Sequence, residues 1–353
     1  MHEDKLYTGD TMKAAVFNGA GNIEIQEIDV PEPGKGEALL KVRGCGVCGT
    51  DAHIYSGDID NAVPPVILGH EITGTVEKAG PEVSSIVEGQ EVVVDPFVYC
   101  GICEFCKTGN RVLCENESFL GYHRHGGFCQ YTLVPETNVY SVPSGLSFSD
   151  RIICETLSTV LAGFDRLDPK PGSTILILGA GTVGLLWNQV VRGCLPAVII
   201  QTEIVKTRRE RAAGLGADIV ISPEQDDVRG IVLDRFPLGV DRIVDATGST
   251  AAVEQALPLL KKGGTFLSFG ICPAHEHLSL SLNWVYKKQI RILTSRRPPR
   301  HNMSNAIKIL EKGLIDSEAL VTSKRSLCDI ETAFTDFSER RNREIKMAID
   351  PWI

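Results

Sequence analysis

The sequence predicts an α/β protein in which a doubly wound parallel sheet domain is joined to an irregular, partly closed β domain. Three observations lead there. Short apolar runs hemmed in by Gly, Pro and Asp crowd the chain up to about residue 150. Strand-like and helical runs then alternate from Thr174 to Thr294, and a glycine turn sits at the first strand-to-helix step of that alternation. With 353 residues, 43% hydrophobic and 23% charged, the chain can bury two cores and is too apolar to be disordered.

In the first part, Ala14-Ala15-Val16-Phe17, Ala38-Leu39-Leu40-Lys41-Val42 and Glu91-Val92-Val93-Val94 read as strands. The opening Met1-His2-Glu3-Asp4-Lys5 is polar, lacks the apolar core of a secretory signal, and reads as a tail before a strand pattern starting at Met12. The pattern changes near Ser149. Strands are expected over 174–178, 197–200, 218–221, 241–244, 265–269 and 289–293, with helices over 183–191 and 206–215 among them. Arg296-Arg297-Pro298-Pro299-Arg300 interrupts the alternation, a helix over 303–312 follows, and the remaining tail is too short for its own core. The expected domains are therefore 1–153, 154–295, and a return of 296–353 to the first domain. The uncharged stretch 171–191 is long enough to raise a membrane span, but Gly179, Gly181 and Gly184 make its middle a turn, so no span is expected.

A net charge of −9 repels phosphate backbones and argues against nucleic-acid binding. Eleven cysteines are an odd number and they cluster, which points to metal ligation in a reducing, cytoplasmic setting rather than to a disulfide framework. Cys100-x2-Cys103-x2-Cys106-x7-Cys114, within a lobe at 96–116, gathers four thiols that close a tetrahedral zinc without an open position, a structural site. The first three share the spacing of an iron–sulfur run, but that run closes with x3 and Cys-Pro. Here Cys114 comes after seven residues and precedes Glu115, so zinc is the better reading.

Gly179-Ala180-Gly181-Thr182-Val183-Gly184 follows a strand and opens a helix. Gly179 permits the tight turn, Gly181 lets a pyrophosphate approach the backbone, and Gly184 lets the helix pack close; N–H groups at Thr182 and Val183 then face phosphate oxygens. Nineteen positions past Gly184, Glu203 ends the second strand, where an acid accepts hydrogen bonds from ribose hydroxyls and repels a 2′-phosphate, favouring NAD over NADP. Lys206, Arg208 and Arg209 lie just beyond; they either hold a 2′-phosphate or form a solvated helix face, and Arg208 is kept as a candidate cofactor contact.

A scattered set completes the list: Cys48 in Cys48-Gly49-Thr50-Asp51, then Gly69-His70-Glu71, then Glu155. One thiolate, one imidazole and one or two carboxylates can bind zinc and leave a position open. Together with Gly46-Val47-Cys48-Gly49-Thr50-Asp51-Ala52-His53, Gly69-His70-Glu71-Ile72-Thr73-Gly74-Thr75-Val76, the four-cysteine lobe, Gly126-Gly127-Phe128-Cys129-Gln130-Tyr131 and the glycine turn, this set resembles the medium-chain, zinc-dependent alcohol and polyol dehydrogenase family over essentially the whole chain.

The resemblance implies a GroES-like catalytic domain, split around a Rossmann-type cofactor domain, and two zinc ions per chain. It also implies NAD, a small-molecule alcohol substrate, and a homodimer or homotetramer joined partly through the 285–294 region. It makes Cys48 and His70 zinc ligands, Glu71 a ligand or adjustable neighbour, and Glu155 the third ligand found in the polyol branch, with Cys154 the rival in the adjacent position. Glu155-Thr156-Leu157 departs from that branch's Glu-Pro-Leu at Thr156, and no tyrosine follows Arg296-Arg297, where the branch places an Arg-Tyr pair. Thr50 would hydrogen-bond the substrate oxygen and His53 would relay its proton to solvent while hydride leaves for the nicotinamide. A plain alcohol, diol or amino-alcohol (threonine) dehydrogenase is the alternative within enzymes; a catalytically inactive NAD-binding zinc protein is the alternative outside them. His123, His125, His275 and His277 read as exposed polar residues, and Tyr55 and Phe119 stand either in a substrate cleft or in ordinary packing.

Overall fold

The structure is a computed structural model that describes residues 7–273, 275–338 and 344–353; the polar opening expected as a tail lies outside them. The chain divides into two compact units, Met1–Glu155 with Pro299–Glu311 and Val321–Ile353, and Thr156–Pro298 with Lys312–Leu320.

The first unit is built on β-structure. Tyr7–Gly19 and Asn22–Pro31 pair antiparallel with Ala15 opposite Ile25, and Val66–Ile67 adds a third strand beside Val16 and Phe17. The larger sheet runs Val139–Ser141, Glu91–Val94, Glu71–Ala79, Glu37–Gly46, Lys346–Asp350, Val321–Ser326, with Tyr131–Pro135 also paired to Glu37–Gly46. Its register decides the chemistry. Gly46 stands opposite Glu71 on one side and Ala348 on the other, so the loop that follows Gly46 meets both neighbouring strands at one end. A Cβ on Gly46 would lie 1.9 Å from Glu71 Oε2; glycine leaves that carboxylate its room. The core below contains Leu40, Ile54, Ile72, Phe128 and Phe334, each essentially inaccessible, and each contributing roughly 1.5–3 kcal/mol by leaving water.

The second unit is a six-stranded parallel sheet in the order Ile219–Ile221, Val198–Thr202, Thr174–Leu178, Val240–Asp245, Leu260–Ser268, Arg291–Thr294. Numbered along the chain this is the 3-2-1-4-5-6 order of a doubly wound nucleotide-binding sheet. Thr174–Leu178 is buried at every position, as expected of a strand covered on both faces. The connecting helices start at side-chain caps where the sequence supplies them: Asp227 accepts from Gly230 N–H, Ser249 from Ala252 N–H and Ser281 from Trp284 N–H.

Two features differ from the sequence expectation. A 20-residue helix, Phe148–Leu167, stands where only a change of character was read. Its start was encoded: Asp150 N–H donates to Ser147 Oγ, and Ser147 N–H donates to Asp150 Oδ2. Its buried residues Ile153, Leu157 and Val160 recur at helical spacing. Residues 312–320 were expected with the first domain but group with the second unit. Asp316 N–H donates to Gln189 Oε1 at 2.7 Å, and Arg211 donates to the Ala319 carbonyl. Among the described residues no helix is long and apolar enough to cross a membrane.

Candidate metal centre and nucleotide site

Cys48 caps the helix Gly49–Ser56, just after the central strand, and Glu71 opens the strand beside it with His70 immediately before. The strand register thus brings Cys48 Sγ, a His70 ring nitrogen and a Glu71 oxygen within 4.8 Å of one another. Sulfur, imidazole and carboxylate form a donor set that suits zinc. His70 Nδ1 lies 3.2 Å from Asp51 Oδ1, and Asp51 Oδ2 accepts from Cys48 N–H at 3.1 Å. A carboxylate only accepts, so Nδ1 carries the proton and Nε2 keeps its lone pair for a metal. Burial alone would pull the His70 pKa down, but Asp51 and Cys48 outweigh it and hold it well above the usual value. That charge belongs to the metal-free pair; a cation at Nε2 replaces the proton.

Three residues around this set have roles that the sequence reading does not assign. Asp51 is fully buried and links both ligands. Lys346, 3% exposed, donates to Glu71 at 2.6 Å and to the Val47 carbonyl at 3.2 Å. Desolvation opposes its charge, yet Glu71 and Cys48 raise its pKa above the ordinary lysine value. Tyr122 OH lies 3.3 Å from His70 Nδ1, and its ring stacks on Phe119, which also packs against His70. The sequence could have offered only a weak hint, a lysine directly before the apolar run Met347-Ala348-Ile349 of the terminal strand.

Glu155 lies on the helix Phe148–Leu167, 7% exposed, and is not part of the Cys48–His70–Glu71 grouping. Burial pushes its pKa up to about 7, with His70 and Lys346 pulling it down and Glu71 pushing it up. Cys154, its rival, is completely buried with its thiol pKa raised by desolvation. Thr50 Oγ1 lies 3.7 Å from Cys48 Sγ, and His53 Nδ1 lies 3.2 Å from Asp58 Oδ2 in an exposed pair.

In the lobe, Cys100, Cys103, Cys106 and Cys114 bring their sulfurs together, at 3.5 Å between Cys100 and Cys114, 3.9 Å between Cys103 and Cys114, and 4.0 Å between Cys100 and Cys106. A tetrahedron with Zn–S bonds of ~2.3 Å requires about 3.8 Å between sulfurs, so the four thiols fit that ion without rearrangement. They are all free cysteines. Backbone N–H groups of Ile102 and Cys103 hold the Cys100 thiol down to about 6, while burial pushes Cys106 up to about 12.

In the second unit, Gly179 has φ +91°, a conformation that favours glycine, and a Cβ on Gly184 would lie 2.1 Å from the Gly179 carbonyl oxygen. Gly181 caps the helix Thr182–Cys194 and faces open space. Glu203 is only 7% exposed and its carboxylate is already engaged: Oε2 accepts from Ala180 N–H and Oε1 from Val205 N–H, both at 2.8 Å. It fastens the glycine turn to the second strand, leaving one lone pair on each oxygen for a ribose. Arg209 donates to the carbonyls of Glu203 and Ile204, and Arg208 is half-buried in the same helix.

A doubly wound nucleotide sheet accompanied by a β unit with one closed and one open thiolate-bearing cluster defines a zinc-dependent, nucleotide-linked oxidoreductase. Residues 34–144 match the model of the alcohol dehydrogenase GroES-like domain, and residues 182–312 that of the zinc-binding dehydrogenase. The chain is 31% identical to D-arabitol-phosphate dehydrogenase of Enterococcus avium and 32% identical to sorbitol dehydrogenase of Bacillus subtilis (strain 168), each over 96% of this chain and 97% of the relative. A zinc-binding dehydrogenase of Sinorhizobium meliloti 1021, solved bound to NADP, superposes with a TM-score of 0.92 at 32% identity, covering 97% of this chain and all of the other. The chain belongs to the medium-chain, zinc-dependent alcohol and polyol dehydrogenase family.

Proposed function

We propose that the protein oxidises a secondary alcohol, a polyol, sugar or cyclitol, to the ketone with NAD as hydride acceptor. The observation that carries this is the Cys48, His70 and Glu71 grouping, in which Asp51 fixes His70 with Nε2 left for a metal. When bound there, zinc acidifies the substrate hydroxyl as a Lewis acid. Cys48 and His70 would hold it, with Glu155 as the further ligand and Glu71 as an adjustable neighbour restrained by Lys346. The Thr50 hydroxyl accepts the substrate proton's hydrogen bond, and the exposed His53–Asp58 pair hands the proton to water.

Polyols are favoured by the glutamate at position 155 and by the relatives named for sorbitol and arabitol phosphate. NAD is favoured by Glu203, whose charge opposes a 2′-phosphate; the NADP in the Sinorhizobium structure makes the phosphorylated cofactor the rival, with Arg208 as its contact. Four converging free thiols that fit zinc support a cytoplasmic setting. A homodimer or homotetramer is supported by the exposed Leu282 and Tyr286 beside the edge strand Arg291–Thr294. The test is a panel of sorbitol, xylitol, galactitol, an inositol, threonine and butanediol with NAD and with NADP, followed by nicotinamide absorbance. Turnover with polyols and NAD is expected; turnover confined to butanediol or threonine would reverse the assignment.

A further inference from the structure

A cavity of about 220 Å³ in the first unit is lined by Tyr99, Asn110, Arg111, Pro299, Arg300, His301 and neighbouring backbone, so two guanidinium groups and an imidazole border it and no carboxylate does. Arg300 begins the helix Arg300–Glu311, lies over the Tyr99 ring at 5.9 Å, and has its Nε buried without a hydrogen-bond partner. Like charges gathered in a chain of net charge −9 repel one another unless an anion compensates them. The acid behind Arg300 does so only in part. Asp95 is fully buried, its Oδ1 accepts from Phe97 N–H at 3.0 Å, and desolvation pushes its pKa up to about 7 against the pull of Arg300. Tyr140 donates to the Arg300 carbonyl at 3.4 Å and senses Asp95, Arg300 and Arg111 together, which places these charges around one spot.

Size narrows the ligand. Sites for drug-sized molecules and cofactors occupy about 300–1,000 Å³, so this cavity suits a single tetrahedral anion or a short ester of it and not a dinucleotide. Guanidinium forks match the oxygen spacing of phosphate, and Asn110 adds a neutral donor. We propose that this pocket binds a phosphate dianion, free or as a small phosphomonoester, through Arg111 and Arg300. It is separate from the glycine turn, which lies in the other unit, and from the Cys48 centre.

The test is calorimetric titration of the zinc-loaded protein, with NADH saturating the glycine turn, using inorganic phosphate in one arm and glycerol 1-phosphate in the other. The wild type is expected to show a saturable site that Arg111→Gln and Arg300→Gln each weaken by about tenfold or more. Arg111 is exposed, so its replacement leaves the packing intact and decides the matter should Arg300→Gln fail to fold. Binding of phosphate alone assigns the pocket to the free ion, and tighter binding of the ester assigns it to a phosphorylated small molecule. Absence of saturable binding, or equal affinity in wild type and Arg111→Gln, would overturn the proposal.

Discussion

The two thiolate-bearing clusters of the first unit are built in opposite ways. The lobe takes all four donors from one short loop, where nearby backbone N–H groups lower the thiol pKa of Cys100 and Cys103. The Cys48 centre takes its donors from a helix cap and from a neighbouring strand, and surrounds them with buried charges, Asp51 and Lys346. A local, all-sulfur set is closed and serves stability. On the reading proposed above, a set assembled by strand register, mixed in donor type and orientated by buried counter-charges, would keep a position for substrate.

That contrast breaks first at the ligands themselves. Cys48→Ala or His70→Ala is expected to lower alcohol turnover by more than about 10³-fold, the loss of several kcal/mol of Lewis-acid stabilisation; Cys48→Ala still folds, whereas His70→Ala also leaves Asp51 buried without that partner and unfolds at lower urea. Full activity in Cys48→Ala would end the assignment. Lys346→Met leaves the Glu71 carboxylate buried without its ion pair and is expected to cost about 3–5 kcal/mol in urea unfolding, most of it recovered by adding Glu71→Gln. Cys103→Ala is expected to remove the lobe zinc and lower the unfolding midpoint, with activity per folded molecule retained. Asp51→Asn keeps the shape but loses the charge on His70 Nδ1, and zinc affinity measured against a chelator is expected to fall about 10–100-fold.

A smaller effect sharpens the electrostatic side. Asp95 has a folded pKa of about 7, raised by burial above its ordinary value of 3.8. Between those values the folded state binds the proton that the unfolded state has released, so stability falls as pH rises through this window. Asp95→Asn is expected to remove up to about 1.4 kcal/mol per pH unit from that slope between pH 4 and 7, and to be relatively stabilising at pH 8. An unchanged slope in the variant would show that Asp95 ionises without penalty.

The same contrast explains what the sequence disclosed. The lobe and the glycine turn are local, and their spacing alone pointed to the four thiols that converge, to the turn and to the helix start. Strands such as Thr174–Leu178 announced themselves because a parallel sheet covered on both faces needs unbroken apolar runs. Lys346 and Glu71 are far apart in the chain, and their meeting depends on Gly46 pairing with both Glu71 and Ala348, a register that periodicity does not fix. Glu203 was read as a ribose acceptor, but its grip on the Ala180 and Val205 amides depends on where the glycine turn lies in space. At the helix Phe148–Leu167 the sequence reading places only a change of pattern near Ser149, although Ser147 and Asp150 supply a cap and Ile153, Leu157 and Val160 an apolar face.

On the reading proposed above, Cys48 and His70 would hold an open zinc alongside the closed one. Anomalous diffraction at the zinc edge from crystals of the metal-loaded protein tests it most directly. Two peaks per chain are predicted, one among the four lobe sulfurs and one within bonding distance of Cys48 Sγ and His70 Nε2 at about 2.0–2.3 Å. A peak at the lobe alone, with Cys48 and His70 bonded only to protein groups, would contradict it.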